Sequence, residues 1–308
     1  MRPLHLAKNQ VSVDVDFLST SRRLCYHSTE LKQELNMAPS PSNVKIRVLD
    51  SVTKLDPSFE GQVLVAGSHG AVYAAYLAAK GGVRGVILND AGLGKDRAGV
   101  SGLAYLDLYG VAGATIAHTS ARIGDGADMM ARGIISHINE TARALGCASG
   151  QSCDDCAALM QDAAGATGTP PVMTESRFQL EVGPPDVWGL DSASLALPED
   201  TTRILIVGSH GQALGGRPET ALRQDALGAV FHDAGIGVDD AGVSRLPALD
   251  QRNIPAATVA ADSARIGDAR SIYEDGVLSR VNDTAATLGV KAGMRTADFI
   301  KTVRAANR

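Results

Sequence analysis

VLVAGSHG at residues 63–70 and ILIVGSHG at residues 204–211 are one stretch written twice, 141 positions apart. Each begins as an unbroken run of branched apolar residues, the composition of a strand covered on both faces. Each ends in Ser-His-Gly, where the chain leaves the strand and turns. Strands buried on both sides belong to parallel sheets with helices packed against them. The fold class that follows is α/β.

Outward from these strands the agreement continues. DAGLGKDRAGVS (90–101) matches DAGIGVDDAGVS (233–244), and SARIGD recurs at 120–125 and 263–268, both pairs 143 positions apart. Upstream, LDS at 49–51 answers LDS at 190–192. Matches of this extent predict an internally duplicated chain: two pseudo-twofold-related βαβαβα units with mainly parallel sheets and right-handed crossovers. In the first unit, residues 71–82 read as an Ala-rich helix, 83–90 and 111–118 as further strands, and 126–146 as a long amphipathic helix closed by Gly146. Residues 212–228, 228–233, 254–261 and 269–289 take the same roles in the second. This pattern puts His137 and Arg280 in mid-helix and Asp125 and Asp268 at helix N-caps. NVKIRV (43–48) and RFQLEV (177–182) each add a leading strand. The Gly-, Pro- and Thr-bearing stretch 161–177 reads as a linker between repeats at 43–160 and 178–308. Residues 1–42 read as an extension outside both, with Met37 a candidate start.

The chain of 308 residues is 44% hydrophobic and carries a formal net charge of −5. Such a balance lacks the basic footprint of a nucleic-acid binder, and no apolar run nears the roughly 18 residues of a membrane span. Cys25, Cys147, Cys153 and Cys156 are too few and too clustered for a disulfide framework, which points to a reducing, cytoplasmic setting. Three of them lie close in sequence, short of the four ligands of a structural zinc site, and their matched positions are Val290, Thr296 and Phe299. Packing thiols are the expectation. The expected partner is a small molecule, and a homo-oligomer is compatible with this composition.

Open parallel sheets bind ligands beyond the carboxyl ends of their strands. The repeated polar residues fall there: Ser68-His69 and Ser209-His210, Asn89-Asp90 and His232-Asp233, and the Ser120/Arg122 and Ser263/Arg265 pairs of SARIGD. We take His69, His210, Ser120, Ser263, Asp90 and Asp233 as candidate catalytic groups. Ser68, Ser209, Arg122, Arg265, Asn89 and His232 are candidate substrate contacts, the arginines as anion anchors. Each has a plainer reading beside it, in which serines and aspartates serve turns and caps and the arginines pair with neighbouring carboxylates. No GxGxxG, Walker loop, nucleophile elbow or HExxH is present. The residues point to an enzyme of a small polar, anionic metabolite, foremost an amide or ester hydrolase of a carboxylate or cyclic amide. An isomerase or lyase acting beside a carboxylate, a hydrolase using a divalent metal ion, and a non-catalytic two-lobed binding protein are the alternatives.

Overall fold

The computed structural model describes residues 44–307; the expected N-terminal extension, with Cys25 and Met37, lies outside the described residues. The first half runs β1 (Ile46–Leu49), β2 (Val63–His69), α1 (Val72–Lys80), β3 (Gly85–Asn89), α2 (Gly102–Asp107), β4 (Ala112–Ile116), α3 (Gly126–Arg132), β5 (Ile135–Ile138), α4 (Glu140–Ala144) and α5 (Cys153–Met160). The second runs β6 (Arg177–Glu181), β7 (Val187–Leu190), β8 (Ile204–His210), β9 (Gly228–His232), α6 (Arg245–Asp250), β10 (Ala256–Val259), α7 (Ala269–Asp275), β11 (Leu278–Val281), α8 (Asp283–Thr287) and α9 (Thr296–Ala306).

Two mainly parallel sheets result, of five strands in the order β1-β2-β3-β4-β5 and of six in the order β11-β10-β9-β8-β7-β6. In each, parallel strands (β1 to β4, β7 to β10) end in an antiparallel edge strand (β5, β11). A further antiparallel strand, β6, flanks β7. Strand alternation explains why helices cover both faces. Val63 and Val65 pack with Ile87, Met129 and Met160 on one side, while Leu64 and Ala66 pack with the α1 alanines and Leu106 on the other. Each branched side chain so buried contributes about 1.5–3 kcal/mol. Cys147, Cys153 and Cys156 are buried in the first of these layers, and Val290 and Phe299 fill the corresponding core of the second sheet.

The long helices expected over 126–146 and 269–289 do not form. α3 and α7 stop at Gly133 and Gly276, where a Cβ would lie 2.4 Å from the carbonyl oxygens of Met129 and Ile272. Beyond each glycine, IISHI and VLSRV pair as antiparallel edge strands, followed by the short helices α4 and α8. His137 and Arg280 therefore lie on β5 and β11, not in mid-helix. The helix expected over 212–228 is instead two single turns, Leu214–Gly216 and Pro218–Thr220. Gly215 and Gly216 turn left-handed (φ 60° and 68°), and Pro218 cannot continue a helix. RFQLEV does form β6, but the strand standing where β1 stands in the first sheet is β7, which the sequence did not single out.

Strand order rises steadily across each sheet, so neither has the reversal at which open α/β sheets usually form a crevice. Instead the carboxyl ends of the two sheets meet. A Cβ on Gly92 would come within 2.7 Å of the Gly235 Cα, and Gly235 meets Gly92 in the same way at 2.8 Å. The Lys95 amide donates to the Ala261 carbonyl (2.8 Å), and the Val238 amide to the His118 carbonyl (3.0 Å).

Candidate functional site

Both Ser-His-Gly turns are held by the backbone around them. Gly67 and Gly208 let the SARIGD loops pass directly over the strand ends: a Cβ there would lie 2.7 Å from the Asp125 amide and 2.9 Å from the Asp268 amide. Asp125 and Asp268 are helix N-caps, accepting from the Asp128 and Ser271 amides at 2.9 Å. The Ser68 hydroxyl accepts the Val52 amide (3.0 Å), and the Ser209 hydroxyl accepts that of Ala193 (2.9 Å). His69 Nδ1 accepts from the Ala71 amide and His210 Nδ1 from the Gln212 amide, each at 3.3 Å. A donor at Nδ1 selects the neutral tautomer with its proton on Nε2. Each ring lies against the other half's SARIGD glycine, His69 on Gly267 and His210 on Gly124.

Ser68, His69, Ser209 and His210 line one cavity of about 1420 Å³. Ser51, Thr53, Ser192 and Ser194 also line it, as do Tyr73 from α1 and Glu175 from the segment joining the halves. Burial holds the His69 imidazole down at about 4, with the charge on His232 adding to it. Burial, then Arg245 and the other two imidazoles, push His210 well below the ordinary histidine value. Both rings are therefore neutral donors at neutral pH. Burial, reinforced by Asp191, lifts the Glu175 carboxyl to about 7. Two uncharged N–H donors thus share a cavity with a carboxyl poised near neutrality, a pattern suited to proton transfer.

The other candidate residues are placed at the junction of the halves, away from the cavity lining. Asn89 Oδ1 accepts the Ala91 amide (2.9 Å) and its Nδ2 donates to the Ala121 carbonyl (3.4 Å). His232 does the same with its ring, Nδ1 accepting from Ala234 (3.0 Å) and Nε2 donating to Ala264 (3.0 Å). Both are fully buried. The Ser120 and Ser263 hydroxyls donate to the Ala117 and Ala260 carbonyls (2.8 and 2.7 Å) and accept the Ile134 and Val277 amides, which ties loop to edge strand. No serine–histidine hydrogen bond joins any pair among the described residues, so a Ser-His-Asp triad is not assembled. Asp233 accepts the Gly235 amide (2.8 Å) within its own turn. Asp90 accepts both the ring Nδ1 and the amide of His118 (2.8 and 3.0 Å). Burial pushes the Asp90 carboxyl up, but those two bonds together hold it below the usual range.

The two arginines are engaged with carboxylates. Arg122 pairs with Asp125 and Asp128 of its own half and reaches Asp239 of the other (3.1 Å). Arg265 pairs with Asp268 and, across the junction, with Asp96 (2.6 Å). Among the described residues no group of three His, Cys, Asp or Glu side chains is arranged to hold a metal ion.

Three contributors were not among the sequence candidates: Glu175, Tyr73 and Arg245. Glu175 sits in a stretch that reads only as linker, and Tyr73 in a helix that reads only as packing. Arg245, buried behind His210, donates from Nε to the His210 carbonyl (3.1 Å) and from Nη1 to the Thr220 (2.9 Å) and Ala221 carbonyls. Its matched residue is Gly102, so repetition could not flag it. No helix among the described residues is long and apolar enough to cross a membrane. No family model matches the chain, and neither a curated protein nor a solved structure matches it.

Proposed function

We propose that this protein is an enzyme that transfers a proton beside a carbonyl group of a small polar metabolite bound in the His69–His210 cavity. The observation that carries the reading is that two neutral imidazoles, from matching strand ends, converge there with a carboxyl held near neutrality. Glu175 is the base that takes the proton from carbon. One of the Nε2–H groups of His69 and His210 donates to the carbonyl oxygen, which gains charge as the proton leaves, and the other holds a second oxygen of the ligand. A neutral imidazole suits this role because it donates without forming a resting ion pair with the base. An isomerase or lyase is the class that uses such a step, and it stands ahead of a hydrolase because the serines lack a histidine base.

The recurrence of the same hydrogen bonds at spacings of 141 and 143 residues supports an origin by duplication, with repeats at 43–160 and 178–308. On this view the halves diverged at one shared site, the first supplying Tyr73 where the second has Leu214.

The test is solvent exchange. The protein is incubated in D2O with a panel of small oxo acids and hydroxy ketones, and deuterium entering the carbon beside the carbonyl is followed by proton NMR. Exchange should fall by about 10²–10⁴ in Glu175→Gln and clearly in His69→Ala and His210→Ala. Exchange that persists in Glu175→Gln would remove the reading. Hydrolysis of esters or amides without any exchange would put the hydrolase first.

A further inference from the structure

The cavity floor is rich in donors and poor in fixed positive charge. Ser68 and Ser209 use their oxygens to accept amides, which leaves each hydroxyl proton without an acceptor among the described residues. The His69 and His210 Nε2–H groups are likewise without one. Ser51 and Thr53 share one hydrogen bond (2.8 Å), so that pair has one more proton to give; Ser192 and Ser194 share another (2.9 Å), and the Ser192 hydroxyl also bonds the Glu175 carboxyl. The cations are elsewhere. Arg122 and Arg265 are in ion pairs at the junction, Arg245 is turned onto three backbone carbonyls, and Lys54, Lys80 and Arg223 are exposed at the rim.

From this arrangement we infer the ligand class: a small molecule with a carbonyl or carboxylate group at each of two ends, one end bound by Ser68-His69 and the other by Ser209-His210. Neutral hydroxyl and imidazole donors satisfy sp² oxygens directly, and the donors come in two matching sets because the strand ends do. A polyol would fit less well, since each of its oxygens brings a proton of its own to a site that already has protons in excess. The inference rests on the cavity's being the site proposed above, and it replaces the arginines as anchors.

Binding is measured by calorimetry and thermal shift with malonate, succinate and glutarate, the matched monocarboxylates acetate, propionate and butyrate, the neutral diamides malonamide and succinamide, and xylitol. At least one ligand with two ends should bind about tenfold more tightly than its one-ended match. Ser68→Ala and Ser209→Ala should each weaken it about fivefold, with circular dichroism and melting temperature checking that each variant is folded. Ser209→Ala serves should Ser68→Ala fail to fold, because the two sets are independent. Preference for diacids over diamides would identify carboxylate oxygens, and the reverse would identify neutral carbonyls. One-ended ligands or xylitol binding as tightly, or serine variants leaving affinity unchanged, would overturn the inference. Failure of the proton-transfer reading looks different: two-ended ligands would bind with serine dependence, yet no exchange would occur with any carbonyl compound.

Discussion

Asn89 and His232 are different residues performing one task. An Asn side chain presents an acceptor and a donor in nearly the places of Nδ1 and Nε2–H, so either residue can clamp the loop that follows its strand. His232→Asn should accordingly cost less than about 1 kcal/mol in urea denaturation, whereas His232→Ala should cost about 2–4 by leaving buried backbone groups unpaired and opening a void. Equal losses would mean that the ring acts by volume alone. Arg122 invites the opposite expectation from the anchoring role its motif suggests. Its pairs are half exposed, so Arg122→Ala should lower stability by about 1 kcal/mol in low salt, less in 1 M salt, and leave ligand affinity untouched. The SARIGD arginine was legible as a working residue, but the Asp239 and Asp96 carboxylates that engage it come from the other half of the chain. No local spacing reveals such partners.

At the scale of elements, strands were easier to read than the segments joining them. VLVAG and RILIVG carry their own evidence in unbroken branched residues, while residues 126–146 satisfy helical periodicity across a glycine that ends the helix. The decisive fact there is a crowded carbonyl in three dimensions, at 2.4 Å from where a Cβ would be. The loop that stands where α1 stands in the first half shows what can fill the place of a helix. In the first half Gly102 leaves room for α1, since a Cβ there would lie 2.6 Å from that of Ala75. In the second half the helix is absent, and the Arg245 side chain fills the space and binds carbonyls at His210, Thr220 and Ala221. Burial lowers its guanidinium only to about 10, so it remains charged at neutral pH. Arg245→Ala should cost about 2–4 kcal/mol and speed amide hydrogen exchange across 212–222 more than in the sheet. Lys in its place should rescue little, because one ammonium cannot reach the carbonyls that the planar fork spans. Unchanged exchange in that loop would show that the loop holds itself.

Over the whole molecule, the meeting of the two sheets end to end is what brings the matched strand ends to one cavity, and it is the level least visible in the sequence. Repetition announces two like units without saying which faces they turn to each other. The same convergence sets the pH dependence of stability. His69, His210 and His232 are all held below their ordinary value of 6.5 in the fold, chiefly by burial, so the stability tied to their neutrality is present above that value. It is lost as pH falls towards about 4, where the unfolded chain takes up protons that the folded chain refuses. Glu175 works the other way. Raised from 4.5 to about 7, it favours the fold most at low pH and loses that contribution as pH rises through about 7. Between pH 4.5 and 6.5 the two effects oppose each other, with four depressed imidazoles, His137 among them, against the raised carboxyls of Glu175 and Asp191, so stability should fall on acidification but less steeply than the histidines alone would dictate. Glu175→Gln removes one of the opposing groups. Its denaturation free energy, measured from pH 4.5 to 8, should fall with acid more steeply than the parent's, by up to about 1.4 kcal/mol per pH unit. His69→Gln should flatten the same curve. A Glu175→Gln profile parallel to the parent's would mean that the carboxyl titrates as if in water, and the base assigned to the cavity would then lack the environment its role requires.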